Sequence, residues 1–399
     1  SKFHLLDWAN VRLGYATSYS WTAASRLAIY LGNGIQNSNQ KQMTAELDFN
    51  RLYNKSPFLR AINSPSRKPP PSKNQNQANN NNNKKAPAVK PEKAAPEISP
   101  LLKAVLRPLL SIKRIAINYN ETGSTNLPGY TDSTKILGQN LNPIEPGLKF
   151  AFGYQPDSNW MNKFARRGLI TPDTTFNIQY QQDFTQQLNV QATLEPINDL
   201  RIDVNLTKSF SKTHTELFKD TSANTPFAHL NPYDAGGFQI SFIALKTLFG
   251  KINTQNGISQ TFLNFENYRQ TISKRLGNEN PYTNGQPDPK NPNYYVGYGQ
   301  YAQDVLIPAF LAAYTGKDPE NIALLKNNNS TIRSNPFSKI LPRPNWQITY
   351  NGLNKIPALQ KLISNITISH AYSSTLSMNS YTSALLYTDP LHVDYSGFI

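Results

Sequence analysis

The 399-residue chain has no cysteine, five histidines, and only 16% charged residues. Without Cys there is no disulfide framework, thiolate zinc site, iron–sulfur ligation or Cys nucleophile. The histidines (His4, His214, His229, His370, His392) are scattered, with no metal-ligand spacing. No Walker loop, GxGxxG, GxSxG or HExxH occurs. Asp132 and Ser133 sit in a Tyr-Thr-Asp-Ser stretch where both are ordinary turn residues. Glu97 and Glu320 have no neighbouring carboxylate. Neither an enzyme nor a cofactor-binding protein is expected. No apolar run reaches the roughly 18 residues of a membrane helix; the longest, 305–314, is about ten residues and contains Pro308. The first residues match no signal peptide. A strand pattern starts within ten residues of Ser1, and the chain stops at Gly397-Phe-Ile without a closing element, so a segment of a longer protein is expected.

Positive charge is abundant but local. Residues 60–114 hold twelve bases against two acids, which accounts for +10 of the net +15. They lie in a Pro/Asn-rich stretch and not across a folded face, so a nucleic-acid partner is not expected. This stretch, with Pro69-Pro-Pro71 and Asn79 to Asn83, buries nothing and predicts an insert over 57–110 that is mobile over 61–99 and ends in a short amphipathic helix over 101–110.

The chain is polar mainly through uncharged residues: mean hydropathy is −0.54, yet there are 21 Tyr and 19 Phe. That composition suits strands with one polar face. Strict alternation bears this out. Val11, Leu13, Tyr15, Tyr19 and Trp21 fall on one face, with Arg12, Ser18 and Ser20 on the other. The same period predicts strands at Met43–Phe49, Ile115–Tyr119, Leu148–Tyr154, Phe238–Phe242, Trp346–Tyr350 and Ile366–Tyr372. The longest pattern is a hairpin over 174–217, closed by Pro196-Ile-Asn-Asp199. Its second arm sets Leu200, Ile202, Val204 and Leu206 against Arg201, Asp203, Asn205, Thr207 and Ser209. Arms of about 18–20 residues exceed both the usual strand of 5–6 and the 9–11 that cross a bilayer. Tyr15, Tyr19 and Trp21 crowd one end of an apolar face, as aromatic girdle residues would. Over 251–343 the spacing predicts a helix through Phe262–Leu276, a second over 301–314 closed by Gly316, and a third starting at Asp318-Pro319-Glu320, with 277–298 as loop.

Several stretches together resemble a known family: Asp7-Trp-Ala-Asn-Val-Arg-Leu-Gly-Tyr15, Leu31-Gly-Asn-Gly-Ile-Gln-Asn37, Leu52-Tyr-Asn-Lys55, Leu127-Pro-Gly-Tyr130, Phe152-Gly-Tyr-Gln-Pro156, Ile307-Pro-Ala-Phe-Leu-Ala-Ala-Tyr-Thr-Gly316 with Lys317-Asp-Pro319, and Pro344-Asn-Trp346 with Tyr350-Asn-Gly-Leu353. In order and number they resemble the SprA/Sov family, the outer-membrane translocon of type nine secretion in gliding and related Bacteroidetes. The resemblance runs from about residue 7 to residue 390.

The resemblance implies an all-β-dominated fold, in which long antiparallel strands form an arc of a very large transmembrane barrel with helical and loop insertions. Such barrels reach 36 strands, and the nine or ten strands expected here are too few to close one. Implied boundaries are wall strands over 1–56, the insert over 57–110, wall strands over 111–250, a helical segment at the rim or in the lumen over 251–343, and wall strands over 344–399. Implied partners are secreted folded cargo proteins, an outer-membrane shuttle barrel at a lateral opening, a periplasmic plug protein and membrane lipid. Arg201, Asp203, Asn205, Thr207 and Ser209 are then the lumen-facing candidates. Tyr15, Tyr19, Trp21, Leu200, Ile202, Val204 and Leu206 are the lipid-facing ones. A different outer-membrane barrel (porin or receptor) and a soluble β-sandwich adhesin remain alternatives.

Overall fold

In the computed structural model the described residues are 6–63, 99, 106–141, 144–222, 227–248, 250, 252, 257–280, 283–324, 331–335, 337–338, 340–361, 363 and 365–383. Most of the insert expected over 57–110, mobile over 61–99, and the helix expected over 101–110 lie outside them. What is described there is a helix at Pro57–Asn63 and a 3-10 turn at Pro108–Leu110.

Nine strands form one antiparallel sheet. They are β1 (Ala9–Thr22), β2 (Asn33–Asp48), β3 (Ile112–Tyr130), β4 (Tyr180–Leu194), β5 (Leu200–Lys219), β6 (Ala228–Ser241), β7 (Asn345–Tyr350), β8 (Ile368–Tyr372) and β9 (Thr375–Ser383). The sheet is open. The β4–β5 pair runs for fifteen residue pairs without a bulge, from Tyr180↔Glu216 to Leu194↔Ile202. Strict alternation in both strands is what permits this, because a one-residue slip would turn every apolar side chain to the other face. The twenty residues of β5 extend about 65 Å.

The last four strands share two places in the sheet. β6 pairs with the second half of β5, β7 with its first half. Ile240 stands opposite Lys208 and Asn345 opposite Asn205, so β7 resumes close to where β6 stops. Residues 242–344 leave from the middle of that place and return to it, and the Arg343 N–H donates to the Ser241 carbonyl at 2.9 Å. β8 and β9 divide the outer place in the same way, pairing with β7 and β6. Nine strands thus make seven full-length staves. The end holding the 195–199 turn is called the turn end, the other the insert end.

Six helices matter here: α1 (Phe49–Asn54), α2 (Pro57–Asn63), α3 (Leu148–Ala151), α4 (Ser158–Arg166), α5 (Gln260–Glu279) and α6 (Gln303–Thr315). Asp157 caps α4 through Trp160 N–H at 2.7 Å, and Ser259 caps α5 through Phe262 N–H at 3.2 Å. Gly316 ends α6 in the left-handed region, as its position after the apolar run predicts.

Five expectations need correction. Leu148–Tyr154 is not a strand; Gly147 and Gly153 both take positive φ and isolate a single helical turn. Asp318-Pro319-Glu320 opens a turn, its carboxylate taking the Glu320 N–H, and not a helix. Residues 277–298 are not all loop: α5 reaches Glu279 and Pro287–Asp288 pairs with Asn291–Tyr295. The long hairpin runs from 180 to 219, and the 1–56 segment ends in α1 rather than strand.

Candidate functional site: a polar trough backed by an apolar band

Register fixes which residues share a face. Odd residues of β5 pair with odd residues of β4 and β7. Even residues of β3 pair with odd residues of β4 and with even residues of β2. One face therefore collects Arg201, Asp203, Asn205, Thr207 and Ser209 with Thr193, Gln191 and Asn189, Asn118 and Asn120, and Gln42 and Thr44. Two hollows of about 470 and 720 Å³ open on this face. The first is lined by side chains of five successive strands, from Gln42 on β2 to Gln239 on β6. Five strands span roughly 19 Å. A hollow with walls that far apart, on one uncovered face, requires that face to be concave.

The trough is close to neutral. Its mid-section carries amides and hydroxyls, linked by contacts such as Gln40 Nε2 donating to Asn120 Oδ1 at 3.2 Å and Ser18 Oγ meeting Ser38 Oγ at 2.6 Å. Charges gather toward the turn end and are paired. Arg114 meets Glu46 at 3.0 Å, and Arg201 meets Asp203 at 2.8 Å while Thr193 Oγ1 also donates to Asp203.

The opposite face has two halves. At the turn end it is apolar and uncovered. Leu200, Ile202, Val204 and Leu206 are only half-buried, as are Leu188, Val190 and Leu194, while Val11 and Leu13 on β1 are 54% and 77% exposed. A soluble sheet would pack a second layer here. The band is about seven residues tall along β4, roughly 23 Å.

At the insert end the same face lies beneath two inserted segments, 131–179 and 242–344. Its alternation continues, with buried apolar side chains such as Ile35, Leu127, Phe184, Phe210 and Phe238 interspersed with polar ones. Asn37 donates to the Phe150 and Tyr154 carbonyls at 2.7 Å, Asn39 to the Gly153 carbonyl, Gln155 to Asn37, Thr125 to Gln155, and Gln182 to the Pro156 carbonyl at 3.0 Å. Insert backbone that would be buried without partners is thereby satisfied. Lys208 Nζ donates to the carbonyls of Phe337, Ser338 and Ile340 at 3.4, 3.2 and 3.0 Å. Phe337 stacks on Phe238 at 4.5 Å.

Beside it lies a buried charge network. Asp234 accepts from Lys212 at 2.7 Å and from His214 Nδ1 at 2.6 Å; Glu216 accepts from His229 at 2.9 Å and lies 3.8 Å from His214 Nε2. Burial lowers the His214 pKa, but the hydrogen bonds and charges of Asp234 and Glu216 outweigh it and hold it at about 9. Burial raises that of Glu216, and the hydrogen bonds and charges of His214 and His229 bring it down to about 2. These groups lie beyond the band, under the inserts. Opposite charges neutralise one another, and the network lines a small cavity together with Ser158 and Thr331. Among the described residues no His, Asp or Glu cluster is placed to hold a metal ion, and no helix is long and apolar enough to cross a membrane, which says nothing about strands.

The expected site residues divide as follows. The five lumen-facing candidates all lie in the trough. Leu200, Ile202, Val204 and Leu206 lie in the uncovered band, and register puts Tyr15, Tyr19 and Trp21 on the same face. Only Tyr15 remains open, at 59%. Tyr19 packs edge-on against Phe150 at 6.1 Å, and Trp21 Nε1 donates to the Asp132 carbonyl at 3.2 Å, so the first insert covers both. Asp132 is a turn residue, its carboxylate held by Ser133 N–H and Asn140. Sequence reasoning missed Lys208, Lys212, His214 and Glu216. Their parity, shared with the apolar residues of β5, was the one available signal.

No protein-family model matches the chain, and no curated protein matches it.

Proposed function

We propose that this sheet is an arc of the wall of a very large outer-membrane β-barrel that conducts folded proteins across the membrane and to the cell surface, in the manner of the SprA/Sov translocon of type nine secretion. The trough lines the lumen and the apolar band meets lipid. One observation carries the reading: the polar face is concave and bare, while the face behind it carries an uncovered apolar band about as tall as the roughly 25 Å band of outer-membrane barrels. A soluble sandwich would bury such a band, which disfavours an adhesin. A porin or receptor would share both faces; the family resemblance and the near-neutral trough favour protein export. Moving folded cargo needs a wall without apolar patches or one dominant charge, since either would retain the cargo. No chemistry and no cofactor enter this function. Cargo proteins occupy the lumen, and a shuttle barrel and a periplasmic plug contact the full-length wall.

The inserts stand on the band's side of the sheet, so on this reading 242–344 sits outside the wall at the membrane rim and not in the lumen. The test is photo-crosslinking in the full-length protein during active secretion. A photoreactive residue at Asn205 or Ser209 should capture cargo, and one at Leu206 should capture lipid. Cargo captured from Leu206, with lipid at Asn205, would turn the wall inside out and end the proposal.

A further inference from the structure

The first insert carries an apolar edge that its own packing does not use. In α3, Phe150 points to the sheet and is 1% exposed, while Leu148 and Phe152, four residues apart on the other side of the turn, are 48% and 58% exposed. Leu141 and Ile144, paired in a two-residue ladder just before, are 54% and 57% exposed. Four large apolar side chains exposed within twelve residues are more than the scattered single exposures of an ordinary surface. Lys149, exposed, stands among them.

The edge is tied to the top of the band. Tyr15 Oη donates to the Phe152 carbonyl at 2.6 Å, and below Tyr15 on the same strand face come Leu13 and Val11. At the turn end Trp8 packs on Phe49 at 5.7 Å. From Ala9, where β1 begins, to Tyr15 the strand covers roughly 20 Å. An outer-membrane barrel has an apolar band about 25 Å tall with aromatic girdles at both interfaces. Tyr15 then marks the interface on the insert side, and Phe152 shares its level.

We infer that this edge, Leu141, Ile144, Leu148 and Phe152 with Lys149, rests in the phosphate headgroup layer of the leaflet on the insert side. The apolar groups reach the acyl boundary and the Lys149 ammonium meets lipid phosphate. The inference depends on the wall reading, because it takes the band as the lipid-spanning surface. The occupant is lipid, for two reasons. The edge continues the band through the Tyr15–Phe152 bond, and a cation between apolar side chains is the pairing that anionic interfaces attract. The insert serves as a float that sets the depth of the wall in the membrane.

The test uses the full-length protein in phospholipid vesicles with and without anionic lipid. Environment-sensitive fluorophores are placed at Phe152→Cys, Ile144→Cys, Val204→Cys and Leu27→Cys, the last at a site 92% exposed in the β1–β2 loop. Quenchers are a headgroup nitroxide, an acyl-chain nitroxide and aqueous nickel. The Phe152 and Ile144 probes should lose emission to the headgroup nitroxide and resist nickel, Val204 should respond to the acyl-chain nitroxide, and Leu27 to nickel alone. Lys149→Glu should increase nickel quenching at Phe152 in anionic vesicles only. If Phe152 and Ile144 behave like Leu27, or are shielded from all three quenchers by another protein segment, while Val204 still reports lipid, the float is refuted and the wall reading survives. If Val204 responds to nickel alone, the wall reading fails and takes the inference with it.

Discussion

Lys208 marks the residue at which the outer face of β5 changes character. Leu206, two residues below, is bare, and at Lys208 the same face begins to hold an insert. The ammonium supplies three donors to three carbonyls, so Lys208→Met would remove three charge-assisted bonds, although the Phe337 carbonyl keeps the Ile340 N–H at 3.0 Å. Hydrogen bonds from a charged donor contribute about 1.5–3 kcal/mol each, and orphaned acceptors cost about 1–3 kcal/mol. We expect Lys208→Met to destabilise the 337–340 seat by roughly 2–3 kcal/mol, read as faster amide exchange there with β4–β5 exchange unchanged. The charge network beyond it makes the β5–β6 pairing pH-dependent. His214 has a folded pKa raised to about 9 from a reference near 6.5, so its contribution is complete below about pH 6.5 and lost as pH rises through 9. Glu216 is depressed to about 2, so its contribution is complete above about pH 4.5 and lost as pH falls toward 2. The β5–β6 pairing should be held most tightly between about pH 4.5 and 6.5. Thermal unfolding of the solubilised protein should show a maximum there that His214→Gln weakens. An identical pH profile in that variant would remove His214 from the account.

At the scale of the element, alternation along β5 assigns its two faces. Leu206→Arg should cost about 2–4 kcal/mol if that position lies near the bilayer midplane. Asn205→Arg, one residue away in the trough, should cost far less. Refolding yields into lipid vesicles separate the two, and equal losses would cancel the face assignment. The strands were legible in the sequence wherever one face met lipid-like or open surroundings, because period two then runs undisturbed, as in β1 and from Leu188 through Leu206. The reading failed where an insert replaced those surroundings. Leu148, Phe150, Phe152 and Tyr154 alternate like a strand, yet the paired glycines Gly147 and Gly153 bend the chain so that only Phe150 turns inward. Asn37, Thr125, Gln182 and Lys208 occupy inward positions as polar residues because their partners are insert carbonyls and Gln155, remote in sequence and invisible to any local pattern. The division of one stave into β6 and β7 was likewise hidden, since residues 242–344 separate two halves that only the pairing with β5 reunites.

For the whole molecule, seven staves curve around a neutral trough and turn an apolar band outward, with both inserts gathered on the band's side at one end. On the proposed function that distribution has a reason: a lumen-facing surface has to stay clear for cargo, so added structure accumulates behind it. The central claim is that this sheet is membrane-embedded wall with its polar face on a water-filled lumen. Since the 399 residues contain no Cys, single cysteines introduced one at a time from 200 to 209 test it most directly, in the full-length protein within intact outer membranes treated with a membrane-impermeant maleimide. The account predicts period-two labelling: Cys at 201, 203, 205, 207 and 209 reacts and is protected when cargo is stalled in transit, while Cys at 200, 202, 204 and 206 stays unreacted until detergent is added. Uniform labelling across all ten positions, or reactive even positions with silent odd ones, would contradict it.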